Sequence, residues 1–367
     1  VLCLNTQRLI ERFFRYVRCS SESGNEKEFC LLIEDELRLL GFDIYRDEVG
    51  SKCGSNGWNI IAGLEGNGEP LLLSAHLDTV TPGVNIKPEL KDGVIYSDGT
   101  TILGADDKAA IAAVLEAVEM IIEEGRPHNS VEVLFSICEE LGLLGAKYAD
   151  YKLIKSKAAL VLDNERIGEI INRNPANIKI YFTVRGRSAH AGMAPEQGIH
   201  ALKAAAQAVN SIKVGRVDDI TVMNISNFLS PGKTNIVADT ASFDMEIRSF
   251  SEETAQNHIK AAEKAVKEAC KDYGATYEMR VERCSYVINV PDDSSLIDMV
   301  REAFKKAGRE CFIAESFGGC DATHIFANGI EVVNLGVGMS DVHSCSEHIA
   351  VKDLETITEV IYHILTR

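Results

Sequence analysis

Three oily runs, EPLLLSAH, SVEVLFSI and AALVLD, punctuate the first half of the chain, and helical patterns lie between them. That alternation limits the fold more than any other feature. Parallel strands need a long crossover, usually a helix, so this order predicts a largely parallel sheet covered by helices. The clearest helix is KAAIAAVLEAVEMIIEEG, rich in Ala, Leu and Glu and closed by Gly125. EKEFCLLIEDELRLLGF is another, stopped by Gly41. Ahead of the first of these helices lies TPGVNIKPELKDGVIYSDGTTILGADD, whose Gly, Pro and Asp content predicts a long surface loop.

After about residue 173 the pattern changes. NIKIYFTVRG reads as a strand, HALKAAAQAVNSI as a helix, and DITVMNISNFLS and IVADTASFDMEIRS as two strands joined by a Pro-Gly turn. Helix SEETAQNHIKAAEKAVKEACKDYG and strand TYEMRVERC follow. This β-α-β-β-α-β order is that of a ferredoxin-like unit. Alternation returns at about residue 287 with SSLIDMVREAFKKAG, IEVVNLGVG and VKDLETITEVIYHIL. The expected architecture is therefore α/β: a mainly parallel domain made of residues 1–173 and 287–367, interrupted by an α+β unit over residues 174–286.

A chain of 367 residues suits two domains. Its 46% hydrophobic and 25% charged residues are those of a globular protein. A net charge of −17 argues against nucleic acid or an anionic membrane as partner, because both call for clustered Lys and Arg. No apolar stretch reaches membrane-span length, and VLCLNTQRLIERFFRYVRC intersperses charges at helical spacing, unlike a signal-peptide core. Ten scattered cysteines without a C-x-x-C pair predict reduced thiols, hence a cytoplasmic location.

Polar clusters stand where the strands end. In SAHLDTV, His76 and Asp78 are two apart and face one side of a strand, which suits a metal ligand and the carboxylate that orients it. GADDK puts Asp106 and Asp107 at a helix N-terminus; CEEL follows a strand with Glu139 and Glu140; LDNE supplies Asp163, and VHS supplies His343. Singly, each has a plainer use: helix cap, solvated first turn, turn residue, core histidine. Ligands of open α/β sheets collect beyond the carboxyl ends of strands, and histidines with carboxylates gathered there suit a pair of zinc-like ions.

SAHLDTV, LGADDKAAIAAVLEA, EELGLLGAK, LDN and NLGVGMSDVHS, in that order, resemble the motifs of the co-catalytic zinc aminopeptidases, aminoacylases and glutamate carboxypeptidases, and within them the peptidase T-like proteins. The resemblance covers nearly the whole chain. It implies two zinc ions per subunit, with cobalt or manganese as substitutes. His76 and Asp163 would bind one ion, Glu140 and His343 the other, and Asp106 would bridge them. Asp78 would orient His76, Glu139 would be the general base, and a cis peptide would follow Asp106. The inserted unit becomes a lid that pairs in a homodimer. In it His190, in GRSAHAGMAPEQG, would hold the substrate carbonyl oxygen; Asn235 and Arg248, in GKTNIVAD and MEIRS, would bind the substrate carboxylate.

The expected activity is aminopeptidase action on short peptides, tripeptides foremost. Carboxypeptidase or N-acyl amino acid deacylase action uses the same chemistry. SFGGCDATHIFANG departs from the family's Gly-Gly-Thr-Asp-Gly segment at Cys320 and Ala322, where the pocket would differ. A non-catalytic binding protein is the contrasting reading, and retention of Glu139 with all five ligand positions weighs against it.

Overall fold

The computed structural model describes residues 4–367, which divide into two compact units, one running to Arg173 and resuming over Asn289–Arg367, the other Asn174–Ile288. At the centre of the first unit lie β1 (Gly68–His76), β2 (Asn129–Ser136), β3 (Ala158–Asn164) and β4 (Glu331–Gly336), side by side as β2-β1-β3-β4 and all parallel. Antiparallel strands Asp43–Asp47 and Asn59–Leu64 extend the β2 edge. Glu169–Asn174, antiparallel to β4, extends the other. The fold is thus α/β with a mainly parallel central sheet. Because the four central strands share one direction, their carboxyl ends form one edge, and His76 stands opposite Ser136 there.

Helix α1 (Ala105–Glu124) crosses this sheet and is also covered by the opening helix Thr6–Arg18 and the closing helix Val351–Leu365. Covered on several sides, it has little polar face; Ala109 to Ala113 are fully buried. Gly125 at φ 60° ends it, its N–H returning to Ile121 and Ile122. One acid inside it needs cations: Glu116, wholly buried, accepts from Arg8 Nε at 2.9 Å and pairs with Arg12.

Residues 81–107 correct the surface-loop expectation. Within them Glu89–Lys91 and Val94–Tyr96 form a hairpin, turned by Asp92 at φ 50° and Gly93 at φ 79°. An Asp-Gly pair supplies two left-handed residues, which a two-residue hairpin turn requires. The hairpin joins His348–Ala350 and Met339–Ser340 in a separate four-stranded sheet. The loop bearing His343 is therefore the connection of a second hairpin within that sheet. Ile102 and Leu103, at the far end of the supposed loop, are buried.

The second unit is an antiparallel sheet in the order Gly215–Asp218, Thr221–Leu229, Thr240–Ser249, Ala176–Arg185, Thr276–Ser285. Apart from the short first strand, this is the ferredoxin-like order. Helices Ala201–Ser211 and Glu252–Tyr273 cover the face made by Ile178, Ile180, Phe182, Phe243 and Met245, where the rings of Phe182 and Phe243 lie 5.1 Å apart. Alternate residues Lys179, Tyr181, Asp244 and Glu246 take the other face.

The Glu116 pairing yields a stability prediction. Glu116→Ala removes the buried partner that Arg8 and Arg12 share, while Arg12 keeps Glu36 and Glu119 and the partly exposed Arg8 keeps Glu119 and Glu123, so urea unfolding should show a loss of about 1–3 kcal/mol. A change within about 0.5 kcal/mol, as at ordinary surface sites, would show that the pairing is idle.

Candidate metal centre

Seven acids and histidines singled out in the sequence meet at the carboxyl edge of β1–β4. His76 ends β1, and its Nε2 lies 2.9 Å from Asp106 Oδ1. The other oxygen of Asp106, Oδ2, is 3.2 Å from His343 Nε2, so this carboxylate stands between the two rings. His343 Nε2 is also 2.8 Å from Glu140 Oε1. Donor atoms of His76, Asp106 and Glu140 lie within 4.8 Å of one another, as do those of His76, Glu139 and Asp163. Two donor groups thus share His76, and the adjacent glutamates divide between them.

Asp78 is wholly buried and acts on both groups. Its Oδ1 accepts the Glu139 N–H at 2.9 Å, and its Oδ2 accepts the Glu140 N–H at 3.2 Å and the Ser23 hydroxyl at 2.7 Å. His76 Nδ1 contacts Asp78 through the backbone oxygen at 2.9 Å, with Oδ1 at 3.5 Å. The Asp106–Asp107 peptide is cis, and Asp107 Oδ2 accepts the His76 N–H at 3.1 Å. His343 at φ 61° and Cys138 at φ 52° hold left-handed backbone that non-glycine residues rarely adopt, a cost concentrated where the donors converge.

Burial opposes charge throughout. It pushes Glu139 and Asp163 well above the carboxylate range, and the charge of Asp163 adds to the rise of Glu139 as that of Asp106 does to the rise of Asp163. Burial also raises Glu140. Burial works against ionising Asp106 as well, yet hydrogen bonds from His343 and His76 hold it below that range. Asp106 in turn lifts His343 to about 9. Burial disfavours a charged His76, but Asp106 and Asp78 overcome it and raise His76 well above its ordinary value. So much buried carboxylate with imidazole between calls for positive charge, and oxygen and nitrogen donors at this spacing fit divalent ions of the zinc type.

Three contributors escaped the sequence reading. Asn334, inside β4, accepts the Asp163 N–H at 2.9 Å and donates to the Asp163 carbonyl at 2.7 Å. An asparagine in an apolar strand was the available signal. Glu347 accepts three N–H groups around Asp106, and nothing near it in sequence announces partners 241 to 244 residues away. Asp321, buried beside Cys320, accepts from Ser136 Oγ, and burial pushes it up to about 6.

The other three candidates lie in the second unit. His190 and Asn235 occupy adjoining exposed loops, tied by the Ala191 N–H to the Asn235 carbonyl at 2.9 Å. Gly192 N–H donates to His190 Nδ1 at 3.2 Å, which leaves the proton of a neutral ring on Nε2. Arg248 is elsewhere: its Nε binds Glu246 Oε1 at 2.7 Å, eight residues along the strand from Thr240, about 26 Å at 3.3 Å per residue. One chain therefore does not bring Asn235 and Arg248 to a common carboxylate.

A parallel α/β sheet whose carboxyl edge gathers two histidines and a set of largely buried acids defines a class, and comparison with known proteins identifies it. Residues 72–367 match the model of peptidase family M20/M25/M40. The chain belongs to that family and is peptidase T-like within it. It is 34% identical to YqjE of Bacillus subtilis (strain 168), over 99% of this chain and 98% of the other. The crystal structure of aminopeptidase PepT from Bacillus cereus ATCC 10987 superposes with a TM-score of 0.94 at 34% identity, covering 99% of this chain and 98% of that one. A tripeptidase from Staphylococcus aureus follows at 0.93 and 32%, with the same coverage.

His324, on the short helix after Asp321, offers a pH test. Burial pushes it down to about 4 from the ordinary 6.5. Between those values the unfolded chain takes up a proton that the folded chain refuses, so stability falls as pH drops. The full effect, below pH 4, is on the order of 3 kcal/mol. His324→Gln should flatten the fall between pH 6.5 and 4 relative to the parent. Parallel pH profiles would refute the assignment.

Proposed function

We propose that the chain is a metallo-aminopeptidase of short peptides, tripeptides foremost, in which Glu139 is the general base. The observation that carries this reading is the division of Glu139 and Glu140 between two donor groups that share His76. His76 and Asp163 would hold one ion and Glu140 and His343 the other, and Asp106, with one oxygen toward each ring, would be shared between them. Zinc is the metal proposed, with cobalt or manganese acceptable to the same donors. Bound there, the ions supply Lewis acidity to the scissile carbonyl and a nucleophile from water at neutral pH.

The remaining work falls to the chain's own groups. Asp78 fixes the turn that bears both glutamates and orients His76. Glu139, lifted by burial above the ordinary carboxylate value, takes a proton from the attacking water and passes it to the leaving amine. His190, with its proton on Nε2, donates to the carbonyl oxygen as negative charge develops. Asn235 and Arg248 bind the substrate carboxylate. Their separation along one sheet supports a homodimer, in which a second chain supplies the member that the first places too far away. The PepT and tripeptidase likenesses support the peptide substrate. The cytoplasm is the proposed location.

Chelation should abolish hydrolysis of a tripeptide, and zinc or cobalt should restore it. Glu139→Gln should keep its metal and lose turnover by about 10²–10⁴-fold, since an amide relays no proton. Near-parental turnover in that variant would sink the base assignment.

Substrate polarity gives a separate test. Amidating the C-terminus of a good peptide should lower kcat/KM by about 10- to 100-fold, the worth of a charge-assisted hydrogen bond. Arg248→Ala should erase the difference between free and amidated peptides. Equal rates with the parent enzyme would remove Arg248 from the site.

A further inference from the structure

Glu347 is 1% exposed and closes the hairpin loop that begins with Asp341 and carries His343. Its Oε2 accepts the N–H groups of Leu103 at 2.8 Å and Gly104 at 2.7 Å, and its Oε1 accepts the Asp106 N–H at 3.0 Å. These are donors at the start of α1, whose own N-cap, Gly104, has no side chain and sits at φ 76°. A carboxylate from the far end of the chain thus takes the place of a local cap. The same short loop reaches Asp106 twice: His343 meets its carboxylate at 3.2 Å and Glu347 holds its backbone. Immediately after Glu347 the chain enters His348–Ala350, where His348 stands opposite Tyr96, so the small sheet fixes where the carboxylate sits.

We propose that Glu347 is a positioning residue of the metal centre, aiming the Asp106 carboxylate by gripping the backbone that carries it. The inference rests on the proposed metal reading and adds a residue to it. Side-chain rotation alone cannot keep both oxygens of Asp106 directed at two separate rings; the backbone from which it projects must also be fixed. Three N–H donors spread over four residues fix it, and only a group with acceptors on both oxygens serves all three. Gln, with one oxygen and one NH2 group, fails at least one and turns a donor toward a donor. Asp keeps the charge and both acceptors but is one methylene short.

The test compares the parent with Glu347→Gln and Glu347→Asp. A control, Glu132→Gln, alters a carboxylate that accepts the backbone N–H groups of Lys155 and Ser156, at the other end of the sheet. Cobalt affinity is measured by chelator competition, the cobalt absorption spectrum is recorded, and kcat and KM are determined with a tripeptide. Glu347→Gln should bind cobalt about 10- to 100-fold more weakly, as losses of ligand-orienting partners generally do. Its spectrum should change and kcat should fall with KM little altered, and Glu347→Asp should recover part of both. Glu132→Gln should leave metal affinity and spectrum as in the parent, whatever it does to thermal stability. Parental affinity and spectrum in Glu347→Gln, or equal metal loss in the control, would overturn the proposal. Hydrogen exchange in the metal-free parent stands apart from whether the variants fold: the Leu103, Gly104 and Asp106 amides should be protected, and free exchange there would also overturn it. A parent that binds no metal or cleaves no peptide would refute the functional reading, while the exchange arm still judges the grip.

Discussion

The carboxyl edge depends on one constraint: the backbone at or beside His76, Asp106, Glu139, Glu140 and Asp163 is held by buried side chains from other parts of the chain. Asp78 holds the turn of Glu139 and Glu140; Asp107 holds His76; Asn334 holds Asp163; Glu347 holds the approach to Asp106. A backbone N–H buried without a partner costs about 1–3 kcal/mol, so each such contact stabilises a geometry as well as satisfying a donor. Side chains that must converge to within a few ångströms cannot tolerate loose turns. The grips also cross between sequence-distant segments, so the site and the first unit's tertiary structure form together.

Much of this was legible beforehand, for a simple reason. Parallel strands share a direction, so polar residues at their C-terminal ends must share an edge, and the oily runs before His76, Glu139 and Asp163 marked those ends. The H-x-D spacing of His76 and Asp78 reads locally because strand geometry has a period of two. The Ala-rich run before Gly125 was equally readable as a helix. What could not be read were contacts that no local period encodes. Glu347 looks like any acid in a polar loop, and its purpose lies in donors more than 240 residues away. The Asp-Gly turn at residues 92 and 93 did carry a local signal, but the density of Gly, Pro and Asp around it resembles a loop.

The second unit shows where sequence order misleads. The family resemblance assigns Asn235 and Arg248 to one substrate carboxylate, and they stand only 13 positions apart. A strand intervenes, and a strand spends residues on length; the Thr240–Ser249 strand carries Arg248 to the end at which Asn177 begins its neighbour, while Asn235 remains with the loops beyond Arg185. Proximity in sequence therefore becomes distance in the fold. On the proposed reading of a shared ligand, symmetry resolves this: two copies can bring together ends that one copy holds apart.

Electrostatics ties the backbone grips to the chemistry. Buried acids alone repel one another, and the contacts of His76 and His343 with Asp106 oppose this by favouring the protonated rings, both raised above their ordinary pKa. On the proposed reading those protons occupy the role of the metal charge, and an incoming ion must displace them, since imidazole binds metal only when deprotonated at the ligating nitrogen. Asp78, like Asp106, is held below the ordinary carboxylate value. Burial opposes its ionisation, but His76 first, then Ser23 and the Glu139 backbone, hold its pKa down. As a charged acceptor it holds the turn of Glu139 and Glu140 through their N–H groups, which on the proposed reading leaves the Glu139 carboxylate free to carry a proton.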